Sequence, residues 1–243
     1  MSPEAPSGLD AVVFDLFHTL VTPEAVNPKA YFRVNRMAEA LGLETEEFLR
    51  WWVATKGERN RHRSPTVAER IVLHCEELGK RVSIRKVEGA LYEGDRFHDE
   101  AIRDPPAEVL QTLKLLRERG FRIGILSNTD EHESRMWPGS PLARIVHVAH
   151  LSIDTGRVKP EPDAYRGILR SLGNVPAASA AYVGDGESHE LKAAKEVGFG
   201  KVVFMRGYVR GTGFQTLTNL EAFAKQADVT VDAISDLLSV LER

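Results

Sequence analysis

The chain has 243 residues, 42% of them hydrophobic and 28% charged, the balance of a globular domain large enough to carry an insertion. A formal charge of −3 creates no field to draw in nucleic acid or an anionic membrane, and no apolar run reaches the ~20 residues of a bilayer span. The single cysteine, Cys75, excludes an intrachain disulfide framework and a cysteine-rich metal site and points to a cytoplasmic setting.

The opening "MSPEAPSGLD" has no basic region before an apolar stretch, so it reads as a short loose lead-in and not as a secretory signal. The first strand-like run is "AVVFDLF" (11–17), followed by "FRIGILSN" (121–128), "RIVHVAHLS" (144–152), "AAYVGD" (180–185), "KVVFM" (201–205) and "DVTV" (228–231). These runs are nearly continuous in apolar residues, as strands buried on both faces are. Helical patterns separate them: "PAEVLQTLKLLRERG", "PDAYRGILRSLG" and "ESHELKAAKEVG" each close on a glycine, the expected helix stop. The alternation predicts an α/β fold with a doubly wound parallel sheet.

Between Pro23 and Pro105 the alternation fails. Four helical patterns take its place: "PKAYFRVNRMAEALG", "ETEEFLRWWVATKGER", "PTVAERIVLHCEELG" and "SIRKVEGALYEGDRF". We read residues 23–105 as a helical cap domain inserted into a core formed by 1–22 and 106–243, placed over the end of the first strand as a lid is. Cys75 is read as a helix-face residue. Trp51 and Trp52 point about 100° apart on a helix, one into the cap core and the other toward the cleft. "ERNRHR" (58–63) reads as a solvated loop from which an arginine can reach an anionic substrate.

Ligands of parallel sheets bind beyond the carboxyl ends of the strands. There the sequence puts Asp15 and Thr19, then Ser127 and Asn128, then Asp185, with Lys159 just ahead of a helix near Pro162. A carboxylate nucleophile needs cations or donors to offset developing charge. Asp15 and Asp185, with a nearby main-chain carbonyl, offer hard oxygen ligands suited to Mg²⁺, while Ser127, Asn128 and Lys159 suit a phosphoryl group.

Four segments in this order resemble the motifs of the haloacid dehalogenase superfamily: "DLFHT" (15–19), "ILSNT" (125–129), "KPEP" (159–162) and "GDGESHE" (184–190). The resemblance implies a Rossmann-like core with a helical cap after the first motif. It implies that Asp15 attacks the substrate, Thr19 orients the nucleophile loop, Ser127 binds the transferring group and Lys159 neutralises charge. Asp15, the carbonyl of Phe17, Asp185 and Glu190 would hold Mg²⁺, Glu190 standing where aspartate is usual. Glu187 reads as a further carboxylate or a first-turn acid.

Phe17 departs from the motif, because family phosphatases carry there a second acid that protonates the leaving group. Losing such help costs ~10²–10⁴ in rate. Three readings stay open: a substrate with a good leaving group; another acid, His18 or a cap residue; or a different reaction. Family dehalogenases have an aromatic residue at this position and need no metal, but the retained Asp185 argues for metal. Tyr165 fits either chemistry. The expected function is therefore a cytoplasmic Mg²⁺-dependent phosphohydrolase of a small metabolite, with no nucleic-acid or membrane partner. A metal-independent 2-haloacid hydrolase and a non-catalytic relative are the alternatives. As bland readings, Ser127 and Asn128 can cap a following helix, His147 and His150 are structural, and "RGYVRGTG" (206–213) is a loop without a phosphate-binding lysine.

Overall fold

The computed structural model describes residues 8–210 and 216–241. The strands are β1 (Ala11–Phe14), β2 (Arg122–Ser127), β3 (Val148–Leu151), β4 (Ala180–Gly184), β5 (Lys201–Met205) and β6 (Val229–Val231). They form one parallel sheet in the order 3-2-1-4-5-6, with Val13 opposite both Gly124 and Tyr182. The order reverses between β1 and β4, so the loops after these two strands part and leave a crevice.

Helices α1 (Pro23–Val26), α2 (Arg33–Leu41), α3 (Thr45–Ala54), α4 (Lys56–Arg59), α5 (Val67–Glu77) and α6 (Ile84–Arg103) all precede β2. The later ones are α7 (Ala107–Glu118), α8 (Pro141–Ile145), α9 (Ser152–Thr155), α10 (Pro162–Ser171), α11 (Glu190–Val197), α12 (Gly207–Arg210), α13 (Leu217–Gln226) and α14 (Leu237–Val240). Period-two alternation divides the sheet residues between two cores. Val12, Phe14, Ile123, Ile125 and Val203 pack with Val109 and Leu113 of α7 on one face. Ala11, Val13, Tyr182, Val202 and Phe204 pack with Ile168 of α10 and Leu191 of α11 on the other.

Helices α2, α3, α5 and α6 bury a third cluster of their own, built on Met37, Phe48, Trp52, Ile71, Cys75 and Leu91. Local signals start them well. Thr66 and Glu69 form a reciprocal capping box at α5, and Ser83 caps α6. Helix α6 runs to Arg103, six residues beyond the "SIRKVEGALYEGDRF" pattern, and so carries His98 and Asp99 to the core. No described helix is long and apolar enough to cross a membrane.

Three expectations need correction. "ERNRHR" is a solvated loop only in part: 60–63 link α4 to α5 with His62 and Arg63 exposed, but Arg59 ends α4 and is buried with Asn60. Arg61 and Arg63, from the same segment, pair with Glu161 and Asp154 of the later chain. Of "RGYVRGTG", 207–210 form α12, and 211–213 lie outside the described residues, as do residues 1–7 of the lead-in. In "RIVHVAHLS" the first two residues finish α8 and pairing begins only at Val148.

Candidate active site

β1 ends at Phe14, and Asp15 is the first residue beyond it, its N–H donating to Val183 O of the neighbouring strand. The chain then turns back within one loop: Leu20 N and Val21 N both donate to Leu16 O, and His18 N donates to Val21 O. His18 takes up the tight turn at φ 58°, in the left-handed region. This loop aims the Asp15 carboxylate into the crevice, where Thr19 Oγ1 donates to it from 3.4 Å.

Lys159 is buried opposite. Its Nζ donates to Asp15 Oδ1 and Glu190 Oε2, each at 2.5 Å, and lies 3.3 Å from Tyr182 Oη. Burial alone would lower this ammonium, but Asp15 and Glu190 hold it above the usual lysine range. Its backbone is fixed by Asn128, whose amide donates to Lys159 O and accepts from Lys159 N. Asn128 therefore positions the lysine and caps no helix; the turn that follows is closed by Asp130, which accepts from the N–H groups of His132 and Glu133. Ser127 closes β2, buried on the cavity wall, with no hydrogen-bond partner for its hydroxyl among the described residues.

Asp185 follows β4. Its Oδ1 accepts from Glu187 N at 3.0 Å, and its Oδ2 is 3.8 Å from His18 Nδ1. Glu190 opens α11 and points back into the site, accepting from Tyr182 Oη at 2.6 Å and from Gly186 N at 3.1 Å. Gly184 leaves room for it, since a Cβ there would fall 2.0 Å from Glu190 Oε1. Asp15, Asp185 and Glu190 each present a carboxylate oxygen within 4.8 Å of the others. Burial pushes Asp185 well above the usual carboxylate range, with repulsion from Glu190, Asp15 and Glu187 adding to it; Glu190 is raised by burial too. Three buried carboxylates thus face one ammonium, an excess of negative charge that a hard divalent cation would match. Asp15, Asp185 and Glu190 fit such an ion. Glu187 stands at the cavity wall outside this group.

Phe17 is half-buried, its ring edge-on to His98 of α6 with centroids 5.2 Å apart. Two imidazoles thus flank the position of the missing acid. Burial and the charge of Arg33 hold His98 well below its ordinary range, so it stays neutral. Burial would lower His18 as well, but its 3.0 Å hydrogen bond to Glu24 and the charges around it raise it overall. Tyr165, buried, donates to Glu190 O.

The crevice is a cavity of about 270 Å³ roofed by α2–α4 and α6. Trp52 is the tryptophan that faces it, while Trp51 stacks on His74. Arg33, Arg59 and Lys56 add positive charge to the roof. His147 accepts from Ile123 N, and His150 pairs with Ser171 away from the cavity. Tyr182, Glu24, His98 and Arg33 were not singled out from sequence. Tyr182 sits in a strand run where only pairing register reveals its orientation, and the other three depend on how the inserted helices fold over.

Residues 9–198 match the family model described as haloacid dehalogenase-like hydrolase. The chain is 26% identical over 231 residues to Protein CbbY of Rhodobacter capsulatus, covering 90% of this chain and 97% of that protein. It is 32% identical over 116 residues to a glyceraldehyde 3-phosphate phosphatase of Methanopyrus kandleri, covering 46% of this chain and 48% of the relative. Among solved structures it shares the fold of a 2-haloacid dehalogenase from Pseudomonas syringae pv. Tomato, with a TM-score of 0.62, 22% identity, and coverage of 96% of this chain and 97% of that one.

Proposed function

Because this chain belongs to the haloacid dehalogenase-like hydrolase family, we propose that it is a Mg²⁺-dependent phosphohydrolase of a small phosphorylated metabolite. The observation that carries this reading is the charge imbalance: Asp15, Asp185 and Glu190 converge, buried, around the one ammonium of Lys159, with the His18 imidazole 3.8 Å from Asp185 at the edge of the group. Mg²⁺ bound by these carboxylates and the Phe17 carbonyl would supply charge neutralisation for an incoming phosphoryl group. Residues 23–105 act as the cap that shuts the site from water, over a core of 1–22 and 106–243. Burial of the lone Cys75 is compatible with a cytoplasmic setting.

In this reading Asp15 attacks phosphorus, the bond to the leaving oxygen breaks, and an aspartyl-phosphate forms. Water then cleaves that intermediate, releasing phosphate and restoring the carboxylate. Thr19 orients the attacking oxygen, Ser127 offers its unpartnered hydroxyl to the phosphoryl oxygens, and Lys159 holds charge on nucleophile and substrate together. Phe17 donates no proton, so the leaving group departs most readily as a stabilised anion, an aryl, enol or acyl oxyanion. His18, with Glu24 behind it, is the imidazole suited to protonate a poorer one.

Phe17 also favours a second reading, displacement of halide from a 2-haloacid, which needs no proton donor. Hydrolysis of an aryl phosphate with and without Mg²⁺, by the native chain and by Asp15→Asn, separates the two. Mg²⁺-dependent turnover lost in Asp15→Asn supports the phosphohydrolase. Inertness toward aryl phosphate, with metal-independent release of halide from a 2-haloacid, would replace it.

A further inference from the structure

The roof of the cavity uses up most of its own charges. Arg33 Nη1 bonds Asp95 at 2.9 Å, and Nη2 bonds Glu133 at 2.6 Å. Arg59 is 2% exposed and donates to Trp52 O and Thr55 Oγ1, at 2.5 and 2.7 Å. Glu133 also accepts from Asp130 N, and Glu24 is bonded to His18. A buried group bonded in this way gains little by exchanging its partner for a ligand hydroxyl, and leaving a buried ion unpaired is costly. Only Lys56, exposed at the rim, keeps its ammonium in water. The roof therefore offers little to a hydroxyl-rich leaving group.

What it leaves open is apolar. Seven large hydrophobic side chains are exposed among the described residues, and three of them, Tyr31, Leu49 and Val53, line the mouth of this one cavity. Single exposed hydrophobics scattered over a surface are ordinary, but a group gathered at an opening marks a place of contact. Leu49 and Val53 stand four apart on α3, one position around the helix from the buried pair Phe48 and Trp52. Helix α3 thus turns one apolar strip into the cap core and a second to the opening. Tyr31 comes from the 3₁₀ turn Pro28–Phe32, its ring edge-on to exposed Phe32 with centroids 5.0 Å apart. Half-buried Val34 and Phe17 line the same cavity, Phe17 only two residues from Asp15. Apolar lining is thus present both beside the nucleophile and at the rim.

We propose that Tyr31, Leu49 and Val53 form an apolar collar that seats the leaving group, so that the substrate is an anion carrying an aliphatic or aromatic tail that reaches the rim, not a polyhydroxylated one. That Asp15 attacks phosphorus at the anionic end rests on the phosphohydrolase reading; the collar itself does not. A tail laid on the collar takes apolar surface of both partners out of water, and each methylene covered there should tighten binding about two- to fourfold.

Butylphosphonate and octylphosphonate share a head group and are not hydrolysed, so together they read the collar without turnover. Titrated calorimetrically into the protein in Mg²⁺, the octyl compound should bind about tenfold or more tighter than the butyl one. Butanoate and octanoate, run in parallel, read the same increment whichever anion the cavity floor accepts. Leu49→Ser combined with Val53→Ser, both at exposed positions, should cut the octyl-to-butyl ratio to about threefold or less. Tyr31→Ser, from a different element, should lower it too, and decides if the double variant loses its folded circular dichroism. A native ratio near one with both head groups, no saturable binding of any of the four ligands, or a ratio unchanged in the variants would each overturn the collar. So would glycerol phosphate binding as tightly as octylphosphonate. Self-association that sedimentation shows to be lost in the variants, with the ratio unchanged, would make the patch a contact between copies instead. A native chain inert to aryl phosphate that keeps its octyl preference would uphold the collar and reject the phosphohydrolase; Mg²⁺-dependent turnover with a flat ratio would do the reverse.

Discussion

Replacing Asp185 by asparagine should stabilise the metal-free protein and remove its response to Mg²⁺. Asparagine keeps an oxygen to accept from Glu187 N, the 3.0 Å contact that fixes the loop, but loses the charge. Two unit charges 4.8 Å apart, the span of the carboxylate group, repel by about 3 kcal/mol at an effective dielectric near 20. Asp185 has two such neighbours, Asp15 and Glu190, and Lys159 offsets roughly one. The remaining ~3 kcal/mol is an upper limit, because Asp185 also escapes repulsion by holding a proton. A gain of about 1–3 kcal/mol is expected, or roughly 3–9 °C in Tm for a chain of this size. The native chain should gain ~2.7 kcal/mol from Mg²⁺ at a hundredfold excess over Kd, the variant almost nothing. The pH sign follows from the raised carboxyls of Asp185 and Glu190. The folded state keeps protons that the unfolded chain has released, so this contribution is full below about pH 4 and is lost as pH rises through the folded-state values. Mg²⁺ should flatten that decline. Thermal melts from acid to neutral pH, in chelator and in Mg²⁺, read all three effects. An Asp185→Asn protein that melts below the native chain in chelator, or that keeps the Mg²⁺ shift, would refute the reasoning.

Gly184→Ala should displace Glu190, since the new Cβ would meet its Oε1 at 2.0 Å; a loss of about 1–3 kcal/mol in denaturant melts is expected, with weaker Mg²⁺ binding. Tyr182→Phe removes a 2.6 Å donor to Glu190 and should cost about 1.5–3 kcal/mol; a midpoint unchanged in urea would count against that bond. Asp95, buried against Arg33, is raised to about 7 and Asp130, buried beside Glu133, to about 6. Their stabilising protonation should fade between about pH 4 and 7. Glu133, drawn down to about 2 by Arg33 despite its burial, works oppositely and loses its contribution only as pH falls through that value. Asp95→Asn should therefore flatten the decline of stability between pH 4 and 7 in urea titrations; an unaltered slope would place the linked proton elsewhere.

The core was legible because its signals are local. Six apolar runs at strand length, helices closed by Gly120, Gly173 and Gly198, and polar residues at strand ends gave the sheet and most of the crevice floor. Asp15 and Asp185 follow β1 and β4 and Ser127 closes β2, so topology alone brings them together. Glu190 was legible from motif spacing, but its double engagement with Lys159 and Tyr182 was not, because that depends on side chains arriving from three elements.

The roof was not legible, and loop 130–135 explains why. The segment "DEHESR" (130–135) begins just after Thr129 and in the sequence is a polar stretch with no apolar periodicity. In the fold, each of its charged ends reaches a different helix of the inserted segment. Asp130 faces Arg59 of α4, Glu131 accepts from Val67 N at the start of α5, Glu133 pairs with Arg33 of α2, and Arg135 with Asp99 of α6. These partners are separated by 36 to 100 residues where the bonds are direct, so no window of the sequence contains both. Because several are buried, their charges cannot be exchanged for water contacts without the cost of an unpaired ion. One core loop, close behind Ser127 at the end of β2, thereby fixes where the roof lies, and with it where Arg59 and Trp52 meet the cavity. Glu133→Gln, which removes the charge bonded to Arg33 at 2.6 Å, should therefore loosen the roof and lower the urea midpoint while leaving any Mg²⁺-induced rise in Tm in place; a lost Mg²⁺ response would refute that separation.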